Sequence, residues 1–272
     1  MPKALLRAIA ILRGAWRPIL FLLLLTSCKP SASVQRPIPA VDDFNALAER
    51  FVARASEGQD TKAIRETLAQ AGVTQLERAL DTNEKQLAFW VNVYNAYIQH
   101  ILRQDPEAYG DRDRFFKEDQ LPIAGKMVSF SKIEHGIIRK SQWEYGLGLV
   151  GKPFPGEFER RLRVREPDYR IHFALNCGAK DCPPVAVYHH NRLNEQFSKA
   201  TSQFLRQSST YDAHKKEVAV TALFSWFRGD FGGKKGTLEI LEKEGIIPEN
   251  QEVSLRYEDY DWTLALDNFA SF

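Results

Sequence analysis

The most regular pattern of hydrophobic positions along the chain lies between about residues 83 and 104. Apolar side chains recur there at the three- and four-residue spacing that places them on one face of a helix. This face is formed by Leu87, Trp90, Val91, Tyr94, Ile98, Ile101 and Leu102. Phe89 and Val93 lie on the opposite face, and a helix that is apolar on both sides is typically buried. We therefore predict a long central helix.

The other patterns predict shorter elements of both kinds. Helices are predicted at about 43–55, after 60, after 73, and at 131–140, 193–205, 223–228 and 237–244. Strands are predicted at 121–123, 126–130, 170–175, 211, 218–220 and 253–257, the first two as one hairpin and the fourth and fifth as another. Ser131 and Glu134 have the spacing of a capping box that would open the helix at 131–140. The mixture predicts an α+β fold, a helix-rich single domain with a small, mostly antiparallel sheet.

The first 27 residues differ from the rest in pattern and charge. Four basic residues and no acidic ones accompany the apolar run at 19–25, and small residues close it. This arrangement is typical of a cleavable signal peptide. The run is shorter than the about 20 apolar residues that a membrane-spanning helix needs, so we do not expect this segment to be a permanent transmembrane helix.

The segment 25–28, Leu-Thr-Ser-Cys, resembles the lipobox of bacterial lipoproteins. The resemblance implies cleavage before Cys28 and acylation of this cysteine, which makes a membrane the expected partner. Lys29 follows, and in Gram-negative lipoproteins a residue other than Asp here goes with the outer membrane and a domain facing the periplasm. In another organism we expect a cell-surface lipoprotein. Residues 28–40 are rich in Pro and Ser and are expected to form a tether, and the globular domain is expected at 41–272.

The charge balance of the mature chain argues against nucleic acid as a partner. The signal segment holds four of the 37 basic residues and none of the 35 acidic ones, so the remainder carries a net charge of −2. The basic cluster at 160–165 is expected to form a solvated face. The sequence contains no Walker-type loop, no G-x-G-x-x-G and no G-x-S-x-G. We therefore expect no cofactor and no serine-hydrolase site.

Two cysteines remain in the expected domain, Cys177 and Cys182. An even pair in an oxidising compartment is a candidate disulfide that would close the loop between them. Cys177 also ends the predicted strand at 170–175 and enters a glycine-containing turn, a place that exposes a side chain at the edge of a sheet. The sequence therefore leaves open whether Cys177 is a disulfide partner or a free nucleophile.

A cysteine nucleophile needs a nearby imidazole that lowers its pKa and a third polar group that orients the ring. His172 is close in sequence, but alternation along a strand puts it on the opposite face from Cys177, so the chain would have to bend between them. His135, on the predicted helix at 131–140, is an equally good partner. Asn95 or Asp230 could orient the ring. Alternatively, both histidines are satisfied core residues and Asn95 serves backbone groups.

Several segments, taken in order, resemble the domain-of-unknown-function family 547. These segments are 89–96, 133–139, 172–184, 221–231 and 260–262. The resemblance covers roughly residues 60–265, and the cysteine–proline segment at 172–184 is its most specific part. Because the family is uncharacterised, the resemblance implies no particular activity.

Two kinds of function are compatible with these residues. One is a thiol-dependent hydrolase or acyl transferase that acts on envelope peptides or amides through Cys177 and either His135 or His172. The other is a non-enzymatic module that binds a peptide, glycan or protein and contains a structural Cys177–Cys182 disulfide. A zinc site built from these four residues lacks the paired short spacing of such sites, so we expect no metal. Whether the protein is an enzyme stays open at this level.

Overall fold

Helices and strands form largely where the hydrophobic pattern predicts them. The computed structural model describes residues 43–272. The helices are α1 (Phe44–Ser56), α2 (Lys62–Gln70), α3 (Val73–Ala79), α4 (Asn83–Gln104), α5 (Arg112–Lys117), α6 (Glu157–Leu162), α7 (Leu193–Ser208), α8 (Leu223–Trp226) and α9 (Gly233–Lys243). The strands are β1 (Leu121–Ile123), β2 (Lys126–Val128), β3 (Thr210–Asp212), β4 (Glu217–Val220) and β5 (Ser254–Tyr257). Two 3-10 helices (Pro106–Gly110 and Tyr169–Phe173) and a π-helix (Lys132–Ile138) complete the elements.

This content confirms the predicted helix-rich α+β class. Strands β1 and β2 form an antiparallel hairpin, and β3 and β4 form a second one. Strand β5 joins β4 in parallel and completes a small mixed sheet of order β3–β4–β5. The predicted signal peptide, Cys28 and the whole of the predicted tether lie outside the described residues. Among the residues that are described, no helix is both long and apolar enough to cross a membrane.

Helix α4 is the buried centre that its hydrophobic pattern predicts. The hydroxyl of Thr82 accepts a hydrogen bond from the backbone N–H of Lys85 at 3.2 Å and caps the helix. Helix α1 packs along α4, and the ring of Phe51 meets that of Tyr97 edge to face with centroids 4.9 Å apart. Burial of this face stabilises the fold and makes α4 a rigid support for the loops around it.

Two buried asparagines on α4 hold those loops in place. Asn92 exchanges two hydrogen bonds with the backbone of Tyr188, at 2.7 and 3.0 Å. Asn95 donates to the carbonyl of Ala174 and accepts from the N–H of Asn176, both at 2.9 Å. Buried amides that serve loop backbone in this way replace water for groups that no regular element satisfies. The segment that leads into Cys177 is thereby fixed against α4.

The predicted strand at 170–175 is wrong, because Tyr169–Phe173 is a 3-10 helix. The carboxylate of Asp168 accepts from the backbone N–H of Arg170 at 2.9 Å and starts a turn instead of a strand. Ile171, His172 and Phe173 are all buried in succession, which a turn permits and the alternation of a half-exposed strand does not. The bend that His172 would need to reach the face of Cys177 is therefore present.

The predicted capping box at Ser131 and Glu134 is also wrong. The hydroxyl of Ser129, two residues earlier, accepts from the backbone N–H of Lys132 at 3.1 Å, and Ser131 already has helical backbone angles. The turn that follows is a π-helix, in which the N–H of Arg139 binds the carbonyl of Glu134 at 2.8 Å. Glu134 is thus free of a capping role, and its side chain belongs to the site described below.

Candidate functional site

A cavity of about 180 Å³ lies where the π-helix, the 3-10 helix Tyr169–Phe173 and the cysteine loop approach α4. Its wall includes Cys177, His135 and His172, three of the four residues predicted to carry chemistry. The fourth, Asn95, does not line this cavity, and both ends of its amide bind loop backbone as described above. The structure therefore brings the predicted cysteine and histidines together and assigns Asn95 a supporting position.

The two cysteines of the loop are joined in a disulfide, as one of the two predictions had it. Their Cα atoms lie 6.1 Å apart. Cys182 is buried, whereas Cys177 is partly exposed to the cavity. Because the two sulfurs bond to each other, neither is a free thiolate ligand for a metal in this state. In this state Cys177 carries no free thiol.

The two sulfur atoms differ in their surroundings. Sγ of Cys182 accepts a hydrogen bond from the backbone N–H of Cys177 at 3.0 Å and from the hydroxyl of Tyr260 at 3.3 Å. Sγ of Cys177 has a weaker contact, 3.8 Å from the same hydroxyl. Donors aimed at a sulfur stabilise negative charge on it. The surroundings therefore favour Cys182 as the sulfur that leaves as a thiolate when the bond is opened at Cys177.

His172 is held by a carboxylate from a distant part of the chain. Its Nε2 lies 2.7 Å from Oδ2 of Asp230, and its ring stacks on Phe227 with centroids 3.9 Å apart. Since an ionised carboxylate only accepts, Nε2 carries the proton and donates it. No described residue hydrogen-bonds the other ring nitrogen, Nδ1, so it remains a base. Burial lowers the pKa of His172 and favours its neutral form, although the hydrogen bond to Asp230 acts in the opposite direction.

Arg139 completes this network and was not singled out from the sequence. Its guanidinium binds both oxygens of Asp230, at 2.6 Å from Nε and 3.1 Å from Nη2. The side chain is only 2% exposed, and it lies over the ring of Phe227. Burial would raise the pKa of Asp230, but the hydrogen bonds from His172 and Arg139 outweigh it and lower this pKa to about 2. Asp230 is therefore an anion at any physiological pH.

The same guanidinium orients the second histidine. Nη1 of Arg139 lies 2.6 Å from Nδ1 of His135, and because arginine can only donate, this nitrogen accepts. Burial lowers the pKa of His135, although the neighbouring Glu134 carboxylate acts to raise it. Neutral His135 then carries its proton on Nε2. Both neutral imidazoles thus carry the proton on Nε2, and they border a single cavity. They differ in which ring nitrogen is already bound, so His172 keeps a lone pair on Nδ1 and His135 keeps a proton on Nε2.

Three aromatic rings form another part of the cavity wall, which we call the aromatic wall. Trp226 stacks on Trp262 with centroids 5.5 Å apart, and Tyr260 packs against both rings. Trp262, Glu134 and His135 also border an adjoining cavity of about 520 Å³. Planar apolar faces beside a few fixed polar groups are typical of sites that bind peptides or sugars. The two adjoining cavities give room for a substrate larger than the inner one alone.

A comparison with protein families gives a match over part of the chain. The family described as "Protein of unknown function, DUF547" matches residues 78–205. This range supports the DUF547 domain that the motifs indicated, and it contains His135, His172 and both cysteines, whereas Asp230 lies beyond it. Neither the curated proteins nor the solved structures give a match.

Proposed function

We propose that this protein is a thiol-dependent hydrolase or acyl transferase of the bacterial envelope, active when the Cys177–Cys182 disulfide is reduced. One observation carries the proposal: His172, whose ring lies 2.7 Å from the Asp230 carboxylate, lines the same cavity as Cys177. A nucleophile, a base with a free nitrogen and an oriented carboxylate are the parts that acyl transfer through cysteine requires. The substrates we propose are envelope peptides or amides.

The proposed reaction begins when Nδ1 of His172 takes the proton of the reduced Cys177 thiol. The thiolate adds to the substrate carbonyl, and collapse of the tetrahedral adduct breaks the carbon–nitrogen bond while the imidazolium returns the proton to the departing amine. The thioester left on Cys177 is then cleaved by water in a hydrolase or by a second amine or hydroxyl in a transferase. Asp230 stays ionised throughout and stabilises the imidazolium that forms. In this scheme His135 polarises the substrate carbonyl by donating from Nε2.

Opening the disulfide is the step that precedes catalysis. An external thiolate attacks the more accessible Sγ of Cys177, and Cys182 leaves as a thiolate that Tyr260 and the N–H of Cys177 stabilise. A second external thiol then attacks the mixed disulfide and releases the Cys177 thiolate. The two external thiols leave joined to each other as a disulfide, so they are oxidised while the protein is reduced. The envelope thiol–disulfide machinery would supply these thiols. The oxidised form is a resting state in this scheme.

The first test measures the reactivity of Cys177. The protein is reduced, freed of reductant and alkylated with iodoacetamide between pH 5 and 9, and the modified residue is identified by mass spectrometry. We expect a midpoint for Cys177 well below the about 8.5 of an ordinary thiol, and a return towards that value in His172→Gln. His189→Gln, which removes a histidine paired with Glu49 outside the cavity, is the matched control and leaves the midpoint unchanged. An ordinary midpoint in the unmodified protein would sink the proposal.

The second test asks for the acyl intermediate itself. Reduced protein is mixed with p-nitrophenyl acetate, and we expect a burst of nitrophenol with one acetyl group on Cys177. Asp230→Asn and Cys177→Ala should lose the burst, and the oxidised protein should show none. A burst of equal size in Cys177→Ala would assign the acylation to another residue and contradict the scheme.

The disulfide itself favours a second candidate, a non-enzymatic binding module. The bond fixes the loop beside the aromatic wall, which would suit a preformed site for a peptide or glycan. This candidate predicts that the oxidised protein binds a cell-wall glycopeptide digest in calorimetry and that Trp262→Ala abolishes the binding. It also predicts that Cys177→Ser with Cys182→Ser binds more weakly, whereas the enzyme proposal ties function to the reduced form.

We also propose that the chain is anchored to a membrane through an acylated Cys28, in the outer membrane with the domain facing the periplasm if the organism is Gram-negative, and otherwise at the cell surface. The disulfide supports export, because such bonds persist mainly in oxidising compartments. Labelling cells with radioactive palmitate tests the anchor: label should enter the protein and disappear in Cys28→Ser. Unchanged labelling of that variant would contradict it.

A further inference from the structure

One loop presents an unusual run of large hydrophobic side chains to solvent. We call residues 143–154 the apolar loop. Its exposed members are Trp143, Tyr145, Leu147, Leu149, Val150 and Phe154. Leu149 is 68% exposed and Phe154 is 88% exposed, so both project almost freely from the domain. Isolated apolar residues on a surface are ordinary, but six within twelve positions indicate a surface that is covered in function.

Three backbone hydrogen bonds join residues within the apolar loop. The N–H of Trp143 binds the carbonyl of Val150 at 2.9 Å, and the N–H of Gly146 binds that of Trp143 at 2.9 Å. The N–H of Leu149 binds the carbonyl of Gly146 at 2.8 Å. A backbone that enters lipid loses water, and groups left without partners there are costly. These backbone N–H and C=O groups therefore keep their hydrogen-bond partners if the loop leaves water.

The polar edge of the loop is of the kind found at the boundary of a bilayer. The rings of Trp143 and Tyr145 meet edge to face with centroids 5.8 Å apart. Lys117 donates to the Tyr145 hydroxyl at 2.6 Å. Tryptophan, tyrosine and lysine favour the headgroup region because each has an apolar body and a polar end. Leu149 and Phe154 have no polar end and suit the acyl chains below.

The loop is built onto the elements that form the site. The N–H of Gly229 donates to the carbonyl of Leu147 at 2.7 Å, and Gly148 packs against Asp230 so closely that it has no room for a side chain. At its start, the N–H of Gln142 binds the carbonyl of His135 at 2.9 Å. The apolar loop and the catalytic network therefore share a rigid backbone frame.

We infer that the apolar loop inserts into the interface of the membrane to which Cys28 anchors the chain, and so holds the site at the lipid surface. The inference rests on the proposed anchor, not on the proposed chemistry. Residues 29–42 reach at most about 50 Å when extended, which keeps the domain beside the bilayer. A protein partner fits less well, since a stable protein interface uses about 20–30 residues a side and the exposed loop offers six.

Flotation with vesicles tests the inference on a chain that lacks the lipid anchor. The mature chain carrying Cys28→Ser is mixed with vesicles of phosphatidylethanolamine and phosphatidylglycerol. A ratio of about 7:3 gives these vesicles the negative surface charge of a membrane that contains anionic lipid. We expect Leu149→Asp with Phe154→Asp to lower the partition coefficient at least about tenfold, since each side chain loses favourable apolar burial. The matched control, Met127→Asp with Phe269→Asp, replaces two residues exposed elsewhere and leaves partition within about twofold. Phospholipids brominated in the acyl chains should also quench the tryptophan fluorescence of the parent chain more strongly than that of Trp143→Phe.

Three results would overturn the inference. Equal partition of the parent, loop and control chains would show that the loop does not enter lipid. Equal quenching of the parent chain and Trp143→Phe would show the same for Trp143. Dimerisation that the loop variant abolishes, without any vesicle binding, would make a second copy of the chain the occupant. Failure of the Cys28 anchor would appear separately, as loss of palmitate labelling, while the flotation result still decides the role of the loop.

Discussion

Nε2 of His172 lies 2.7 Å from Oδ2 of Asp230, although the two residues are 58 positions apart in the chain. The same carboxylate binds the buried guanidinium of Arg139, so one anion neutralises one permanent cation and orients one imidazole. A charged pair with so little exposure is costly to break, because the partner left behind keeps its charge in a nonpolar environment. Asp230 is therefore expected to matter for folding as well as for chemistry.

Replacing Asp230 with Asn should destabilise the domain by about 3–5 kcal/mol, since Arg139 would keep a buried charge without its partner. Urea unfolding followed by tryptophan fluorescence measures the loss. Asp267→Asn removes an aspartate from an exposed pair with Arg103 and should change stability little, which makes it the matched control. Equal free energies of unfolding for the two variants would show that the Arg139–Asp230 pair does not stabilise the fold.

Acid should weaken the fold through the same carboxylate. The pKa of Asp230 is lowered to about 2, whereas an aspartate in the unfolded chain titrates near 3.9. Because the folded value is the lower one, the stabilisation is present above pH 4 and is lost as the pH falls from about 4 to about 2. It is on the order of 2 kcal/mol. Urea unfolding between pH 5 and 2 should show that the parent chain and Asp230→Asn differ less in their free energy of unfolding as the pH falls through this window. A constant difference would contradict the lowered pKa.

His172 should lose its proton at a lower pH than an ordinary histidine does. Burial lowers its pKa, so the unfolded chain binds a proton below about pH 6.5 that the folded chain does not, and this contribution to stability falls as the pH drops below that value. NMR of the imidazole C–H signals, assigned by comparison with His172→Gln, measures the midpoint directly. A midpoint above 6.5 would mean that the Asp230 carboxylate outweighs burial.

Reduction of the disulfide should destabilise the domain by about 2 kcal/mol without unfolding it, because the bond closes a loop of only six residues from Cys177 to Cys182. Thermal unfolding with and without dithiothreitol measures the change. The variant Cys177→Ser with Cys182→Ser should unfold at the same temperature in both conditions. Complete unfolding on reduction would exclude a folded, reduced enzyme.

Gly148→Ala should cost more than the usual penalty for alanine at a positive φ. Gly148 has φ +76°, and a Cβ there would overlap Asp230, whereas Gly245 has φ +67° and open space around it. Gly245→Ala is therefore the matched control, with an expected loss of about 1 kcal/mol. The excess loss in Gly148→Ala, read from urea unfolding, reports the contact with Asp230. If the two variants lose the same stability, the loop yields and the contact is not rigid.

Local patterns predicted the elements whose burial follows from one stretch of sequence. Helix α4 begins and ends where its apolar spacing predicts, and the two hairpins form at their predicted positions. The prediction at Tyr169–Phe173 is wrong because its apolar run suits a strand, whereas the Asp168 cap starts a turn there. The cap could have been recognised from Asp168 alone, as an aspartate two residues before the run.

The site was predictable in its parts but not in its pairing. Cys177, His135 and His172 are residue types that carry chemistry, so sequence alone could nominate them. The choice of Asp230 over Asn95 as the orienting group depends on contacts across 58 positions, which no local pattern contains. Arg139 is an ordinary basic residue in the sequence, and its role appears only once the π-helix and Asp230 are packed together. The aromatic wall of Trp226, Tyr260 and Trp262 likewise combines separate segments.

The close contact between two glycines has an evolutionary consequence. A Cβ at Gly229 would overlap the carbonyl group of Gly148, just as a Cβ at Gly148 would overlap Asp230. A side chain at either position is thus expected to be selected against in any lineage that keeps both the apolar loop and the Asp230 carboxylate in their present places. Descendants that have acquired a side chain at one of these positions should have also lost Asp230 or shortened the loop. Glycine at both of these positions is therefore expected in relatives that retain this site.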